Sequence, residues 1–184
     1  DAAKLGTYEG LAGPEWQGRL CLRTSKKVYN QSLVATMIAA LGEQKTEQVV
    51  RGWVANLATD VFANDTQLLE AIAAGQCDVG IVNTYYFGRI VKDRADFPVK
   101  LFWANQGAGG THVNISGAGV TQHTRQAAAA TRFLEWLSAG PAQAHFAAVN
   151  MEFPANPAAT IDPLVQSWGP FEPSLINVAE AGRL

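Results

Sequence analysis

The chain has 184 residues, 48% of them hydrophobic and 16% charged, which fits a folded protein with a sizeable core and excludes a disordered one. Fourteen basic against sixteen acidic residues leave a net charge of −2, and Lys26-Lys27 is the only basic doublet, so the basic stripe of a nucleic-acid binder is missing. No apolar run approaches the ~20 residues of a membrane span, and two cysteines, Cys21 and Cys77, are too few for a Cys-rich scaffold or a four-cysteine zinc site.

The first residues lack a basic stretch followed by an apolar one, the pattern of a signal peptide. Residues 11–18 are turn-rich and open onto a predicted strand, 19–24. Leu33, Val34, Met37, Ile38 and Leu41 recur at helical spacing and predict a helix over 28–41. Gly42 interrupts, and Val49, Val50, Trp53, Val54 and Leu57 mark a second helix over 43–57. Asn64-Asp65-Thr66 supplies cap residues for a third, 67–74, which Gly75 stops. A buried strand over 78–83 follows, then a short helix over 84–91 and a strand over 99–103. Residues 113–120 are strand-like. Helices are predicted over 126–137 and 142–149, split by Gly140-Pro141. Prolines at 154, 157, 163 and 170 predict a long surface segment, before a helix that starts at Ile176 and runs to Leu184. Strands alternating with helices imply an α/β fold with a mainly parallel sheet.

Most common chemical motifs are missing. There is no P-loop, no His-Glu-x-x-His and no Cys-x-x-Cys, and Gly117-Ala-Gly119 lacks the third glycine of a dinucleotide site. His112, His123 and His145 stand far apart and read as surface or internally satisfied histidines. Cys21 and Cys77, as residues, read as one disulfide, as two buried thiols or as an unrelated pair.

The tyrosines are the unusual feature. Of four, two are adjacent, in Asn83-Thr84-Tyr85-Tyr86-Phe87-Gly88-Arg89. An aromatic cluster capping a core is the bland reading. The alternative is geometric: neighbouring side chains diverge in a strand or a helix, and two phenols converge most easily where a strand turns into a helix. In open α/β sheets ligands sit outside the carboxyl ends of strands. Tyr29 also follows a strand, so three of the four tyrosines are expected at one edge of the sheet. Converging phenols suit a hard, highly charged cation, which offsets the cost of ionising them. Arg23 and Arg89 lie beside them in sequence, to neutralise charge, hold an anion or form surface ion pairs.

Four stretches closely resemble the bacterial periplasmic ferric-iron-binding proteins: Trp16 to Ala35 around Tyr29, Ala71 to Arg89 around Tyr85-Tyr86, Val113 to Val120, and Ile176 to Arg183. The resemblance implies a non-catalytic solute-binding protein of an ABC importer, a two-lobed clamp that closes on Fe³⁺ and delivers it to an inner-membrane permease. It implies Tyr85 and Tyr86 as paired phenolate ligands, Tyr29 as a third, and Arg89 next to the iron. It places Arg23 and Ser25 in a loop that helps hold a synergistic anion such as carbonate or phosphate, and a helix N-terminus near residue 26 independently favours an anion there.

Family members are longer, so the resemblance assigns residues 1–115 to the second lobe of a type II periplasmic-binding-protein-like fold. It assigns 116–165 to a segment of the first lobe and 166–184 to a return to the second. The rest of the amino-terminal lobe, or a second chain, is then an expected partner. With that packing partner missing, Phe133, Leu134, Trp136, Leu137 and Phe146 are expected to form an exposed patch. The oxidising periplasm and the neighbouring strands imply a disulfide between Cys21 and Cys77. Aligned strand ends, however, offset them by ~10 Å, more than a bridge spans. Two other functions fit less well: a metal-free clamp for an organic or oxyanion solute, and a tyrosinate-iron dioxygenase, which needs imidazole ligands that neither tyrosine motif has nearby in sequence.

Overall fold

Helical periodicity in the sequence becomes helices with few changes. In the computed structural model, which describes residues 2–183, α1 spans Val28–Leu41 and buries Leu33 and Met37, one turn apart. Gly42, at φ 82°, takes a conformation that a side chain would disfavour and starts α2, Glu43–Ala55, whose buried face is Thr46, Val49 and Trp53. α3 covers Asp65–Ala73. The Asn64 side chain caps it, accepting hydrogen bonds from the backbone N–H groups of Thr66 and Gln67 at 2.8 and 3.3 Å.

Two short strands, β1 (Leu20–Cys21) and β2 (Val79–Gly80), pair in parallel with Leu20 opposite Val79 and Cys21 opposite Gly80. Single-residue bridges from Leu20 to Leu57 and from Arg23 to Phe62 widen this pairing. The result is a mixed α/β fold. Residues 99–103 and 113–120 join no ladder among the described residues. Nearby, Thr111 makes a one-residue parallel bridge to Pro173. A strand exists only through its neighbour's N–H and C=O groups, so apolar alternation without a partner leaves extended chain.

The chain forms two compact units. The first comprises the residues up to Asn83, Asp96–Asn114, and those from Phe171 onward. Its core is Leu11, Trp16, Leu20, Leu33, Met37, Val49 and Trp53. The Trp53 indole donates to the Tyr8 carbonyl at 2.8 Å, and buried Asn56 donates to the carbonyls of Leu11 and Gly13, which ties the turn-rich segment to α2. The helix expected from Ile176 onward is the short α8, Val178–Ala181; Leu184 lies outside the described residues.

Cys21 and Cys77 form a disulfide with Cα atoms 5.9 Å apart, beside Leu68 and Ala71. The ~10 Å offset expected for two strands does not arise, because Cys77 precedes β2. It lies in the turn after α3, where the backbone N–H of Gln76 donates to the Ala71 carbonyl, so strand rise does not set its position.

The second unit comprises Thr84–Ala95 and Ile115–Pro170. It contains α4 (Thr84–Asp93), α5 (Ala127–Ser138), α6 (Gly140–Asn150) and α7 (Pro163–Gln166). Pro141 sits in the first turn of α6, where its missing N–H costs nothing, so the helix starts before that proline rather than after it. α5 has no fully buried residue: Phe133 and Trp136 are each 55% exposed, and on α6 Phe146 is 44% exposed. Leu134 and Leu137, expected in the same exposed patch, are half-buried.

Gly88 lets α4 approach the rest of this unit. A Cβ there would lie 2.7 Å from the Met151 Cβ and 3.0 Å from the Trp168 ring, distances that real contacts avoid. Gly88→Ala is therefore expected to destabilise the unit by about 1–3 kcal/mol through overpacking. Thermal unfolding checks this; an unchanged midpoint would show that both Met151 and the Trp168 ring yield.

Candidate functional site

Tyr29 is the second residue of α1, and its hydroxyl is tied to two buried charged groups of the first unit. The hydroxyl is 2.6 Å from each carboxylate oxygen of Asp65, to which it donates. Arg23 Nε donates to the Tyr29 oxygen at 3.0 Å and to Asp65 Oδ2 at 2.7 Å, and its Nη1 donates to the Phe62 carbonyl at 2.6 Å. The Arg23 and Asp65 side chains are 2% and 1% exposed. Burial raises the Tyr29 pKa above that of an ordinary phenol, the Asp65 hydrogen bond raises it further, and Arg23 works against both. Asn30 braces the loop before α1 by donating to the carbonyls of Arg23 and Thr24. Ser25 is exposed in that loop.

A small cavity in the same unit is lined by Tyr8, Tyr29, Asn83, His112 and Asn114, among others. His112 Nε2 lies 3.2 Å from Ser32 Oγ and 3.3 Å from Asn114 Oδ1, while Asn114 donates to Asn83 at 3.1 Å. His112 is thus internally satisfied, as its sequence context suggested, and burial lowers its pKa. His123 and His145 are exposed. Tyr8 accepts the His112 backbone N–H at 3.3 Å, and burial pushes its phenol up to about 12. The folded chain thus favours neutral Tyr8. That stabilisation should hold up to pH ~10 and fall away between about pH 10 and 12, as the unfolded chain ionises first. Tyr8→Phe should flatten that part of the pH–stability curve, measured by denaturant unfolding.

In the second unit, Tyr85 and Tyr86 occupy the first turn of α4. Their ring centroids are 4.3 Å apart with planes tilted by 36°. Adjacent helical side chains usually diverge by about 100°; at this helix start the two rings stay in contact. One turn on, the Arg89 guanidinium lies 5.1 Å from the Tyr85 ring centroid and 5.9 Å from that of Tyr86, and it donates to Asn150 Oδ1 at 3.4 Å. The structure therefore gathers Tyr85, Tyr86 and Arg89 in one unit, and Arg23 with Tyr29 in the other. Among the described residues no group of three or more His, Cys, Asp or Glu side chains is placed to hold a metal ion. The contact of Asp65 with Tyr29 and Arg23 is not legible in the sequence, because Asn64-Asp65-Thr66 reads as helix capping and nothing in its spacing points 42 residues back to Arg23.

Residues 6–173 match the family of bacterial extracellular solute-binding proteins. This chain belongs to that family. The solute-binding chain is 44% identical to Iron uptake protein A2 of Synechocystis over 98% of its own length, and it spans 55% of that relative's length. Its fold superposes on the apo form of FutA2 from Synechocystis with a TM-score of 0.94 and 42% identity, covering all of this chain and 61% of the other. It superposes equally well on FutA (IdiA) of Trichodesmium, solved in complex with iron and citrate. There the TM-score is 0.94 with 37% identity, over all of this chain and 60% of the other. The solute-binding chain thus has the α/β fold of the periplasmic binding proteins over somewhat more than half of their length.

Proposed function

We propose that this solute-binding chain takes Fe³⁺ as its cargo, held by the phenolates of Tyr85 and Tyr86 with Tyr29 as a third ligand, in the periplasmic component of a bacterial ABC iron importer. The observation that carries the reading is the Tyr85–Tyr86 pair, rings 4.3 Å apart in one helix turn with the Arg89 guanidinium over both. Two hard anionic oxygens per helix turn suit a trivalent cation, and the guanidinium offsets the negative charge that phenolates bring. The relatives named for iron uptake, and the one solved with iron and citrate, support the same cargo. The buried Cys21–Cys77 disulfide suits an oxidising compartment.

Arg23 acts beneath Tyr29 in this reading, and the exposed loop at Ser25 is the proposed contact for a carbonate or phosphate bound with the metal. Residues 1–115 and 166–184 are proposed as the second lobe of the clamp and 116–165 as a segment of the first, with Thr84–Ala95 packing on the segment that begins at Ile115. The remainder of the amino-terminal lobe, or a second chain, and an inner-membrane permease are its partners. Binding and delivery need no catalysis.

Adding ferric citrate to the purified chain should produce a visible phenolate-to-iron charge-transfer band that saturates at one equivalent. Absence of the band, with binding of an oxyanion or organic solute by calorimetry, would replace iron by a metal-free solute. Oxygen uptake on a catechol would point instead to a dioxygenase.

A further inference from the structure

The ferric reading takes Tyr29 as a ligand, yet the structure commits its hydroxyl elsewhere. Resting on that reading, we propose that Asp65 is a built-in competitor for iron: its carboxylate holds the Tyr29 hydroxyl in the metal-free chain, and Tyr29 joins the metal only by giving that hydrogen bond up. The phenol lies 2.6 Å from both carboxylate oxygens, in the short, charge-assisted class of hydrogen bonds. The acceptor is fixed in place. Asp65 is the first residue of α3 and 1% exposed, paired with Arg23, which is itself anchored on the Phe62 carbonyl at 2.6 Å. A phenol oxygen that turns to a cation releases its proton to solvent, so the O–H donated to Asp65 disappears and a carboxylate is left facing a phenolate. The hydrogen bond that Arg23 Nε donates to the phenol oxygen, at 3.0 Å, survives the change. Asp65 therefore favours the empty chain and Arg23 the loaded one. Such a contact makes iron easier to surrender, a useful property in a protein that must hand its cargo on.

The sign of the effect separates this role from a structural one, since loss of a merely structural buried contact weakens binding. Asp65→Asn keeps the side chain's size and one acceptor oxygen but removes its charge. With Fe³⁺ supplied as ferric citrate, we expect about tenfold tighter binding in citrate competition, the differential of a charged over a neutral hydrogen bond, and slower release to a chelator. In the Tyr29→Phe background the same substitution should change nothing. Weaker or unchanged binding in Asp65→Asn, or tightening that persists without the Tyr29 hydroxyl, overturns the inference alone. A wild-type chain with no charge-transfer band overturns the ferric reading and this inference with it. Asp65→Asn leaves Arg23 buried without its partner, so a second measurement avoids the variant. The wild-type Tyr29 hydroxyl proton, identified by its loss in Tyr29→Phe, should give a slowly exchanging NMR signal that disappears on loading with diamagnetic Ga³⁺. A signal that persists in the gallium-loaded chain overturns the inference.

Discussion

Tyr85→Phe and Tyr86→Phe should each abolish tight ferric binding while the fold stays intact. Either change deletes one oxygen and keeps the ring, so the 4.3 Å contact between the two aromatics survives. On the proposed ferric reading, what is lost is an anionic hard donor. Removing even an outer-shell partner of a metal typically costs roughly 10–100-fold in affinity, and removing a ligand should exceed that. Ferric citrate titration of each variant, beside circular dichroism of the same samples, checks both halves of the expectation. Unchanged affinity in both variants would return the pair to an aromatic cluster.

The same chemistry fixes the pH dependence. Holding a tyrosine phenol ionised at neutral pH costs about 4 kcal/mol, which the metal must supply. Each phenolate ligand releases one proton on binding, so affinity should weaken as pH falls, by about tenfold per pH unit per phenolate. If Tyr29 is a ligand, as proposed, it adds to that cost, because burial and Asp65 both hold it protonated. A ferric affinity that does not change between neutral and mildly acidic pH would count against phenolate ligation.

Removing the disulfide by the paired change Cys21→Ala and Cys77→Ala is the second large effect. The bridge joins residues 56 apart in sequence, and closing a loop of that length restricts the unfolded chain by about 4 kcal/mol in the chain-entropy account. For a protein of this size that corresponds to a thermal midpoint lower by roughly 8–16 °C. Both cysteines are buried, at 0% and 3% exposure, and pack with Leu68 and Ala71 of α3, so the bridge also ties β1 to the helix that carries Asp65. Scanning calorimetry of the double variant against the wild type measures the loss. A shift of only a degree or two would show that the core holds these elements without the bridge.

The helices and the tyrosine pair were legible in the residues themselves. Residues 28–41 alternate apolar and polar positions at helical spacing and end on Gly42, and α1 has those bounds. Asn64 announces α3 because its side chain reaches N–H groups two and three residues on. Tyr85 and Tyr86 stood out because adjacency at a helix start is itself a sequence property. All of these depend on bonds that reach four residues or fewer, so the local chain contains the whole cause. Tertiary structure decided the rest. Residues 99–103 and 113–120 have strand-like patterns but no ladder, because a strand's hydrogen bonds belong half to a neighbour that the pattern does not name. Cys77 meets Cys21 from a turn rather than from a strand, which only the path of the chain after α3 could set. The contact that bears most on Tyr29, its hydroxyl on an Asp65 clamped by Arg23, joins residues 36 and 42 positions apart. It forms because α3 packs beside β1 and brings a helix-start carboxylate under a buried guanidinium. Local periodicity has no term for such a meeting, and burial in the folded core makes it strong.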